Sequence, residues 1–295
     1  MHAELIVDAR NATGESPVWS AEEQALYWVD IPAGQLYRWS SADNRTQHWT
    51  APEMLACIAR CNDGGWIAGM QSGLFHLQLG ADGSLRSRPL SAVAHARPGM
   101  RFNDGRCDRQ GRFWAGSMLL DMSAAASVGA LYRYSAGQRE PLAGQISDLI
   151  VPNGLAFSPD GRTMYLSDSH PSVQAIWAFD YDIDSGTPHN RRLLVDMRQH
   201  PGRPDGAAVD SEGGYWICGN DAGLIHRFSP DGRLDRSLAV PVQKPSMCAF
   251  GGRDLDTLFV TSIRPAGDLD DQPLAGGVFA LQPGVKGLEE TFFNN

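Results

Sequence analysis

The chain has 295 residues, a net charge of −9 and 42% hydrophobic residues, which is ample material for a buried core. The acidic balance argues against nucleic acid or an anionic membrane surface as a main partner, because both need clustered lysine and arginine. The chain has neither an apolar run long enough to span a membrane nor a basic, apolar leader, which favours a cytoplasmic protein.

One short sequence motif recurs six times, in which a small polar turn precedes two or three apolar residues that include an aromatic residue. In chain order its marker residues are Trp28, Trp66, Trp114, Leu166, Trp216 and Phe259, at steps of 38, 48, 52, 50 and 43 residues. A repeat near this length, with short strands and glycine-rich turns, is typical of a β-propeller. Blades around one axis share one core, so we expect an all-β fold in which residues 1–295 form a single six-bladed β-propeller domain.

Further strands are predicted next to the markers. The segments that follow a marker and alternate as strands are 129–134, 175–180, 223–228 and 277–281. The polar segment 262–277 is expected to be a long loop. Because a propeller must cover its edge strands, we expect residues 4–7 to join the last blade.

The cysteines and histidines show no metal or disulfide pattern. The five cysteines are Cys57, Cys61, Cys107, Cys218 and Cys248. They are odd in number and form no paired CxxC motif, which predicts neither a disulfide framework nor a zinc site. The eight histidines likewise have no metal-ligand spacing.

Five polar residues stand 11 or 13 positions before a marker, and we call them the polar ring: Glu15, Arg101, Asn103, Asn153 and Asp205. The strand before the marker is the innermost strand of its blade, so the polar ring is expected at one mouth of the central channel. In the other two blades the same phase falls on 54–56 and 246–247, which are apolar or small.

The polar ring has the composition of a cation site. Two carboxylates and a carboxamide would repel one another in a low-dielectric site without a cation. Glu15, Asn153 and Asp205 offer only oxygen, which suits calcium, magnesium or manganese, and three ligands leave room for water and substrate. Arg101 can hold an anionic or hydroxylated ligand. Pairs such as Asn153-Gly154 also form plain turns, but five residues in register are harder to attribute to turns.

Four stretches of the chain, residues 14–19, 101–105, 152–161 and 204–206, resemble the regucalcin/gluconolactonase (senescence marker protein) family. The likeness runs from near residue 4 to near residue 285 and implies a six-bladed propeller that hydrolyses sugar lactones with one divalent cation. It implies Glu15, Asn153 and Asp205 as metal ligands and Arg101 and Asn103 as substrate contacts.

The resemblance also places Asp121 where some members have an acidic substrate-contacting residue, although the surrounding loop differs. The implied cation is calcium, with magnesium, manganese, zinc and iron(II) as alternatives.

The expected reaction opens an aldono- or aldarolactone to the sugar acid, with Asp205 accepting a proton from water and Glu15 as the alternative base. Arg60 is a candidate for a second substrate carboxylate. We expect a monomer whose partner is a small-molecule lactone, without nucleic acid or membrane.

Two other functions remain open, a related propeller esterase or organophosphatase and a non-enzymatic calcium-binding propeller. The run Asp168-Ser169-His170 is interpreted as a strand-end turn rather than a nucleophilic triad, because triad members meet in space and not in sequence.

Overall fold

A computed structural model describes residues 2–138, 142–267 and 269–295. It contains six four-stranded antiparallel sheets, arranged as the blades of a propeller. The predicted six-bladed β-propeller is confirmed. Within the described part of the chain, no helix has the length and apolar character needed to cross a bilayer.

The first three blades each begin with an innermost strand beside the channel and continue outward in chain order. Blade 1 contains β2 (Gly14–Ser20), β3 (Ala25–Asp30), β4 (Gln35–Ser40) and β5 (Thr46–Thr50). Blade 2 contains β6 (Leu55–Arg60), β7 (Trp66–Met70), β8 (Gly73–Leu79) and β9 (Leu85–Ala92). Blade 3 contains β10 (Met100–Cys107), β11 (Phe113–Leu119), β12 (Gly129–Tyr134) and β13 (Gly144–Leu149).

The remaining blades follow the same plan from the channel outward. Blade 4 contains β14 (Pro152–Phe157), β15 (Thr163–Asp168), β16 (Ala175–Asp182) and β17 (Thr187–Asp196). Blade 5 contains β18 (Arg203–Val209), β19 (Tyr215–Asn220), β20 (Leu224–Phe228) and β21 (Leu234–Ala239). Blade 6 contains β22 (Pro245–Gly251), β23 (Thr257–Ser262), β24 (Val278–Leu281) and β1 (Glu4–Val7). Two short 3-10 helices span Met122–Ala124 and Met197–Gln199.

The ring closes as predicted, because the first strand of the chain completes the last blade. β1 pairs antiparallel with β24, with Glu4 opposite Ala280 and Leu5 opposite Phe279. The predicted loop 262–277 separates β23 from β24, and within it residue 268 lies outside the described residues. Closure leaves each blade with neighbours on both faces, and the outermost strand of each blade keeps a free edge.

The six markers all lie on the second strand of a blade and are all buried. Trp28, Trp114 and Trp216 have no exposed surface. They pack into the apolar clusters between neighbouring blades, where a large aromatic side chain contributes much of the buried area. The motif therefore recurs in the sequence because each blade contributes an equivalent buried residue to the core.

Every innermost strand contains a bulge near its N-terminal end. In five of them two residues oppose one on the second strand, as Gly154 and Leu155 oppose Leu166, and in β6 Ala56 has no residue opposite it. Such an extra residue bends the strand and redirects its side chains. The bulges place the N-terminal ends of these strands around one mouth of the channel.

The opposite mouth is covered by the C-terminal tail, residues 283–295. Gly287 N donates to Leu255 O of blade 6, Phe293 N donates to Arg60 O of blade 2, and Asn294 N donates to Gly111 O of blade 3. Phe293 is buried against Tyr134, with the ring centroids 5.8 Å apart. The channel is therefore open to the polar-ring mouth and closed by the tail at its other end.

Candidate functional site

The bulges of four blades aim polar side chains into the open mouth. Glu15 and Asn153 are the last paired residues before the bulges of β2 and β14, and Asn103 and Asp205 are the first unpaired residues of β10 and β18. All four are buried. Arg101, on β10, is half-buried beside them.

A chain of hydrogen bonds runs across blades 3 and 4. Arg101 Nη1 donates to Asn103 Oδ1 at 2.8 Å, and Asn103 Nδ2 donates to Asn153 Oδ1 at 3.0 Å. Asn153 Nδ2 then donates to Ser169 Oγ at 2.7 Å, and Ser169 Oγ donates to Pro204 O of blade 5. Each amide thus has one defined orientation, with the carbonyl oxygen of Asn153 turned toward Asn103.

The two carboxylates of the polar ring lie on either side of this chain. One oxygen of Asp205 accepts from Asn220 Nδ2 at 2.6 Å, which leaves its other oxygen without a protein hydrogen bond in the described structure. Glu15 accepts only a long bond from Ser16 N, at 3.4 Å. Ser16, the next residue, has a φ of 50°, in the left-handed region, so the backbone is strained directly after Glu15.

The electrostatics of the mouth favour a cation. Burial, followed by the Asp205 and Asp104 carboxylates, raises the pKa of Glu15 well above its usual value. Burial raises the pKa of Asp205 to about 7, with Asp104 adding to the effect. Arg101 and Arg203 are nearby counter-charges: burial lowers the pKa of Arg101 to about 10, and Arg203, which acts to lower the pKa of Asp205, is also paired with Asp221. The negative charge is therefore only partly balanced by protein groups.

The donor set fits a hard divalent cation. Glu15, Asn153 and Asp205 supply oxygen atoms from three blades, and both carboxylates have an oxygen with no strong protein donor. Asp104 adds a buried Oδ1 with no hydrogen-bond partner, although its other oxygen accepts from Leu155 N at 2.8 Å. Such uncompensated oxygens are costly unless a cation or ordered water satisfies them.

The apolar arc predicted for the other two blades occupies the equivalent bulges. Ala56 of β6 and Met247 of β22 are buried. Ser246 is used in packing between blades 6 and 1, because its Oγ donates to Gly14 O and lies 2.9 Å from Thr261 Oγ1.

Asp121 is not joined to this network. It is exposed, precedes the 3-10 helix Met122–Ala124, and accepts from the backbone N (3.1 Å) and the Oγ (2.5 Å) of Ser123. It lies at the end of β11 nearest the open mouth, so a role in contacting substrate stays a prediction.

Arg60 does not reach the mouth, contrary to expectation. It ends β6, donates to Ser20 Oγ at 2.6 Å, and lies 4.9 Å from the ring centre of Phe292 in the tail. The physical reason is strand direction: residues five positions apart along an innermost strand lie at opposite ends of the channel.

Asp168-Ser169-His170 forms a turn, as predicted. Asp168 accepts from three backbone N–H groups, and His170 contacts Ser172 and Met122 O rather than Ser169. Ser169 nevertheless has a role that the sequence did not indicate, because it holds Asn153.

Asn220, which holds Asp205, was also missed. Ser169 and Asn220 stand three and four residues after the markers Leu166 and Trp216. Polar residues at this distance after a marker were the signal that could have found them.

Comparisons with known proteins find relatives over most of the chain. A family model described as SMP-30/Gluconolactonase/LRE-like region matches residues 13–264. A 6-deoxy-6-sulfogluconolactonase of Pseudomonas putida is 42% identical, covering 98% of this chain and 97% of that protein. Regucalcin of Danio rerio is 32% identical, covering 97% of this chain and 96% of that protein.

A solved structure gives the same picture. The calcium-binding protein regucalcin from Agrobacterium tumefaciens superposes with a TM-score of 0.91 at 26% identity, covering 99% of this chain and 97% of the other.

Proposed function

Because this chain belongs to the SMP-30/gluconolactonase/LRE-like family of carboxylic ester hydrolases, we propose that it is a divalent-metal-dependent sugar lactonase. The substrate would be an aldono- or aldarolactone and the product the open-chain sugar acid. One observation carries the metal dependence: oxygen ligands come from blades 1, 4 and 5, and the pKa values of both carboxyl groups are raised in spite of the nearby Arg101 and Arg203.

Glu15, Asn153 and Asp205 would hold the cation, which we propose to be calcium, with magnesium, manganese, zinc and iron(II) as alternatives. Such an ion supplies Lewis acidity toward the ring carbonyl when it is bound. The chain itself fixes the ligand atoms: Asn103 and Ser169 orient Asn153, and Asn220 orients Asp205.

Asp205 is the proposed general base. Its oxygen that is not bonded to Asn220 is available to accept a proton from an attacking water, and a pKa of about 7 suits a group that must take up and release a proton. Glu15 is the alternative base, since its carboxylate is also weakly hydrogen-bonded.

Arg101 and Asn103 would orient the substrate. The guanidinium uses Nη1 to bond Phe102 O at 2.7 Å and Asn103 Oδ1, and this leaves its other donors for substrate hydroxyls or a carboxylate. Because hydroxyls and carboxylates both suit this group, it supports sugar lactones over apolar esters.

Basic side chains lie at the rim of the mouth, and they favour substrates that carry an anionic group. Arg203 Nε donates to Asp221 Oδ2 at 2.6 Å, and Lys244 bonds the same carboxylate. Two positively charged side chains thus share the one carboxylate of Asp221, and one of them, Arg203, is two residues from Asp205 on the same strand. The relative from Pseudomonas putida is named for a lactone with a 6-sulfo group, and we propose that this chain also accepts a lactone with an anionic group remote from the ring carbonyl.

The proposal is tested by following acid release from aldonolactones, aldarolactones and a 6-sulfo-substituted gluconolactone, with phenyl acetate as the apolar ester. Metal-stripped protein is assayed with and without each of the five cations. Turnover of a sugar lactone restored by a divalent cation is the expected result. Turnover of phenyl acetate alone would favour the esterase, and no turnover of any substrate would favour a calcium-binding propeller.

A further inference from the structure

A second group of metal-ligating side chains lies at the tail-covered end of blade 2. Cys61, Asp63 and His76, which we call the blade-2 cluster, each present one ligand atom, and these atoms lie within 4.8 Å of one another. Cys61 and His76 are buried, whereas the side chain of Asp63 is 45% exposed. His76 Nε2 lies 3.2 Å from Asp63 Oδ2.

The local fold is built to bring these atoms together. Cys61 N donates to Gly65 O at 2.8 Å, which closes the turn that joins β6 to β7 and carries both Cys61 and Asp63. His76 reaches the turn from β8. A Cβ on Gly65 would lie 2.4 Å from His76 Nε2, so the imidazole occupies space that only glycine leaves free.

Blade 5 carries an equivalent turn with a different occupant. Asp210 N donates to Gly214 O at 3.0 Å, and a Cβ on Gly214 would lie 2.5 Å from Arg227 Nε. In this blade the guanidinium binds Asp210 Oδ2 at 2.7 Å and Glu212 Oε2 at 2.9 Å.

The two turns match position by position. Cys61 corresponds to Asp210, Asp63 to Glu212 and His76 to Arg227, because each turn closes over four residues and the ring or guanidinium nitrogen lies over the same glycine. In blade 5 a permanent cation stands between the two acidic side chains. In blade 2 that cation is replaced by an imidazole, and no lysine or arginine of the described residues lies within 4 Å of the Asp63 carboxylate.

We propose that a transition-metal ion of the zinc type binds the blade-2 cluster and takes the place that the guanidinium has in blade 5. Thiolate, imidazole and carboxylate together select zinc, cobalt(II) or iron(II) over calcium and magnesium. Tetrahedral zinc places such ligand atoms about 3.3–3.8 Å apart, so the cluster must close by at most about 1.5 Å. The fourth position faces solvent on the side of Asp63 and takes water.

The site would also connect blade 2 to the C-terminal tail. Asn62 N, between two of the ligands, donates to Phe293 O at 3.1 Å, and Asn295 N donates to Asn62 Oδ1 at 3.4 Å. A metal that fixes this turn therefore fixes the tail that covers the channel. The inference is independent of the lactonase proposal, since none of these residues belongs to the polar ring.

Cobalt(II) provides the test, because a cobalt–thiolate bond gives a near-ultraviolet charge-transfer band that the all-oxygen ligands of the polar ring cannot produce. Metal-stripped full-length protein is titrated with cobalt chloride. The expected result is a thiolate band that saturates within two equivalents, because the polar ring can also take cobalt. The band is absent in Cys61→Ser and needs at least about 10-fold more cobalt in Asp63→Asn and His76→Gln, since losing a ligand should cost no less than losing the partner of a ligand.

Two controls keep the outcome interpretable. Cys107→Ala removes another buried thiol of the same core and should keep the band. Calcium-supported lactonase activity should be unchanged in Asp63→Asn, whose exposed side chain is not needed for packing.

Absence of the band in the wild type, or its persistence in Cys61→Ser, overturns the site and leaves an ordinary His–Asp pair. Failure of the lactonase proposal would instead appear as missing turnover with the cobalt band intact.

Discussion

The polar and apolar arcs of the open mouth share one backbone and differ in what it carries. In blades 1 and 4 the residues just before the bulge are Glu15 and Asn153, and in blades 3 and 5 the bulge carries Asn103 and Asp205. In blades 2 and 6 it carries Ala56 and Met247. The polar arc has unbalanced charge and amides held in one orientation. The apolar arc is ordinary core, with Met247 packed so closely on Gly206 that a Cβ there would lie 2.4 Å away. The backbone sets the direction of the side chain near each bulge. The type of residue there determines whether the side chain can bind a ligand or packs in the core.

The largest effect is expected from the polar arc. Asp205→Ala removes a proposed cation ligand and the proposed base, so turnover should fall by about 10²- to 10⁴-fold and metal affinity should be lost. Steady-state kinetics and calorimetric titration of metal-stripped protein measure both. Arg101→Ala is the matched control, since it should weaken turnover while metal affinity stays. A folded, metal-free Asp205→Ala protein with full activity would contradict the scheme.

The apolar arc should respond in stability and not in metal binding. Met247→Ala opens a cavity in a closely packed wall, which should lower the free energy of unfolding by about 2–5 kcal/mol. Met247→Leu keeps the volume and should cost less than about 1.5 kcal/mol. Urea unfolding of metal-stripped protein provides the numbers. If Met247→Ala lost the metal as Asp205→Ala does, the two arcs would not be separate in function.

A smaller effect distinguishes two serines of blade 4. Ser169→Ala removes the acceptor that orients Asn153, so metal affinity should fall by about tenfold without loss of the fold. Ser167→Ala is the control, because Ser167 Oγ is buried without a hydrogen-bond partner and its removal should leave metal affinity unchanged. Equal metal affinities for the two variants would remove Ser169 from the site.

The most gradual effect, and the smallest near neutral pH, is a pH dependence of the polar arc. A proton on Asp205, with its pKa of about 7, competes with the cation, so metal affinity should fall by up to about tenfold for each pH unit below 7 for this one proton. In the metal-free protein the sign is opposite. A raised carboxyl pKa favours the folded state while the group is protonated, so this stability is present below the unfolded value of 3.8 and is lost as the pH rises through 7.

Calorimetric titrations and metal-free unfolding curves between these pH values check both signs, and Asp205→Asn should flatten each. A metal affinity that does not change across this pH range would assign the proton to another group.

The sequence indicated the blades and most of the polar ring for a physical reason. Trp28, Trp114 and Trp216 repeat because each blade needs a large buried side chain at the same place, and a residue's distance from its marker then fixes its depth in the channel. The bulges could not be predicted from the sequence, because no particular residue type marks the extra residue of a strand. Ser169 was interpreted as a turn residue, and it does lie in a turn. Its contact with Pro204 in the next blade could not be predicted from the residues around it in the sequence.

The blade-2 cluster was hidden for a related reason. Cys61 and Asp63 are two positions apart on a turn, but His76 belongs to another strand and meets them only through the pairing of β7 with β8. Spacing along the chain says nothing about such a group, and the comparison with Asp210 and Arg227 became available only when both turns were seen in space.

The pairing of β1 with β24 also sets the order in which the ring can be completed. Residues 4–7 are synthesised first, yet the strand that they need begins at residue 278. During synthesis the N-terminal strand has no partner, so its backbone can pair with other chains, and the first and the latest blade each have one apolar face without a neighbour. Completion depends on a contact between nearly the two most distant parts of the sequence, which is slow to form, so the nascent protein is most exposed to aggregation just before the last blade appears.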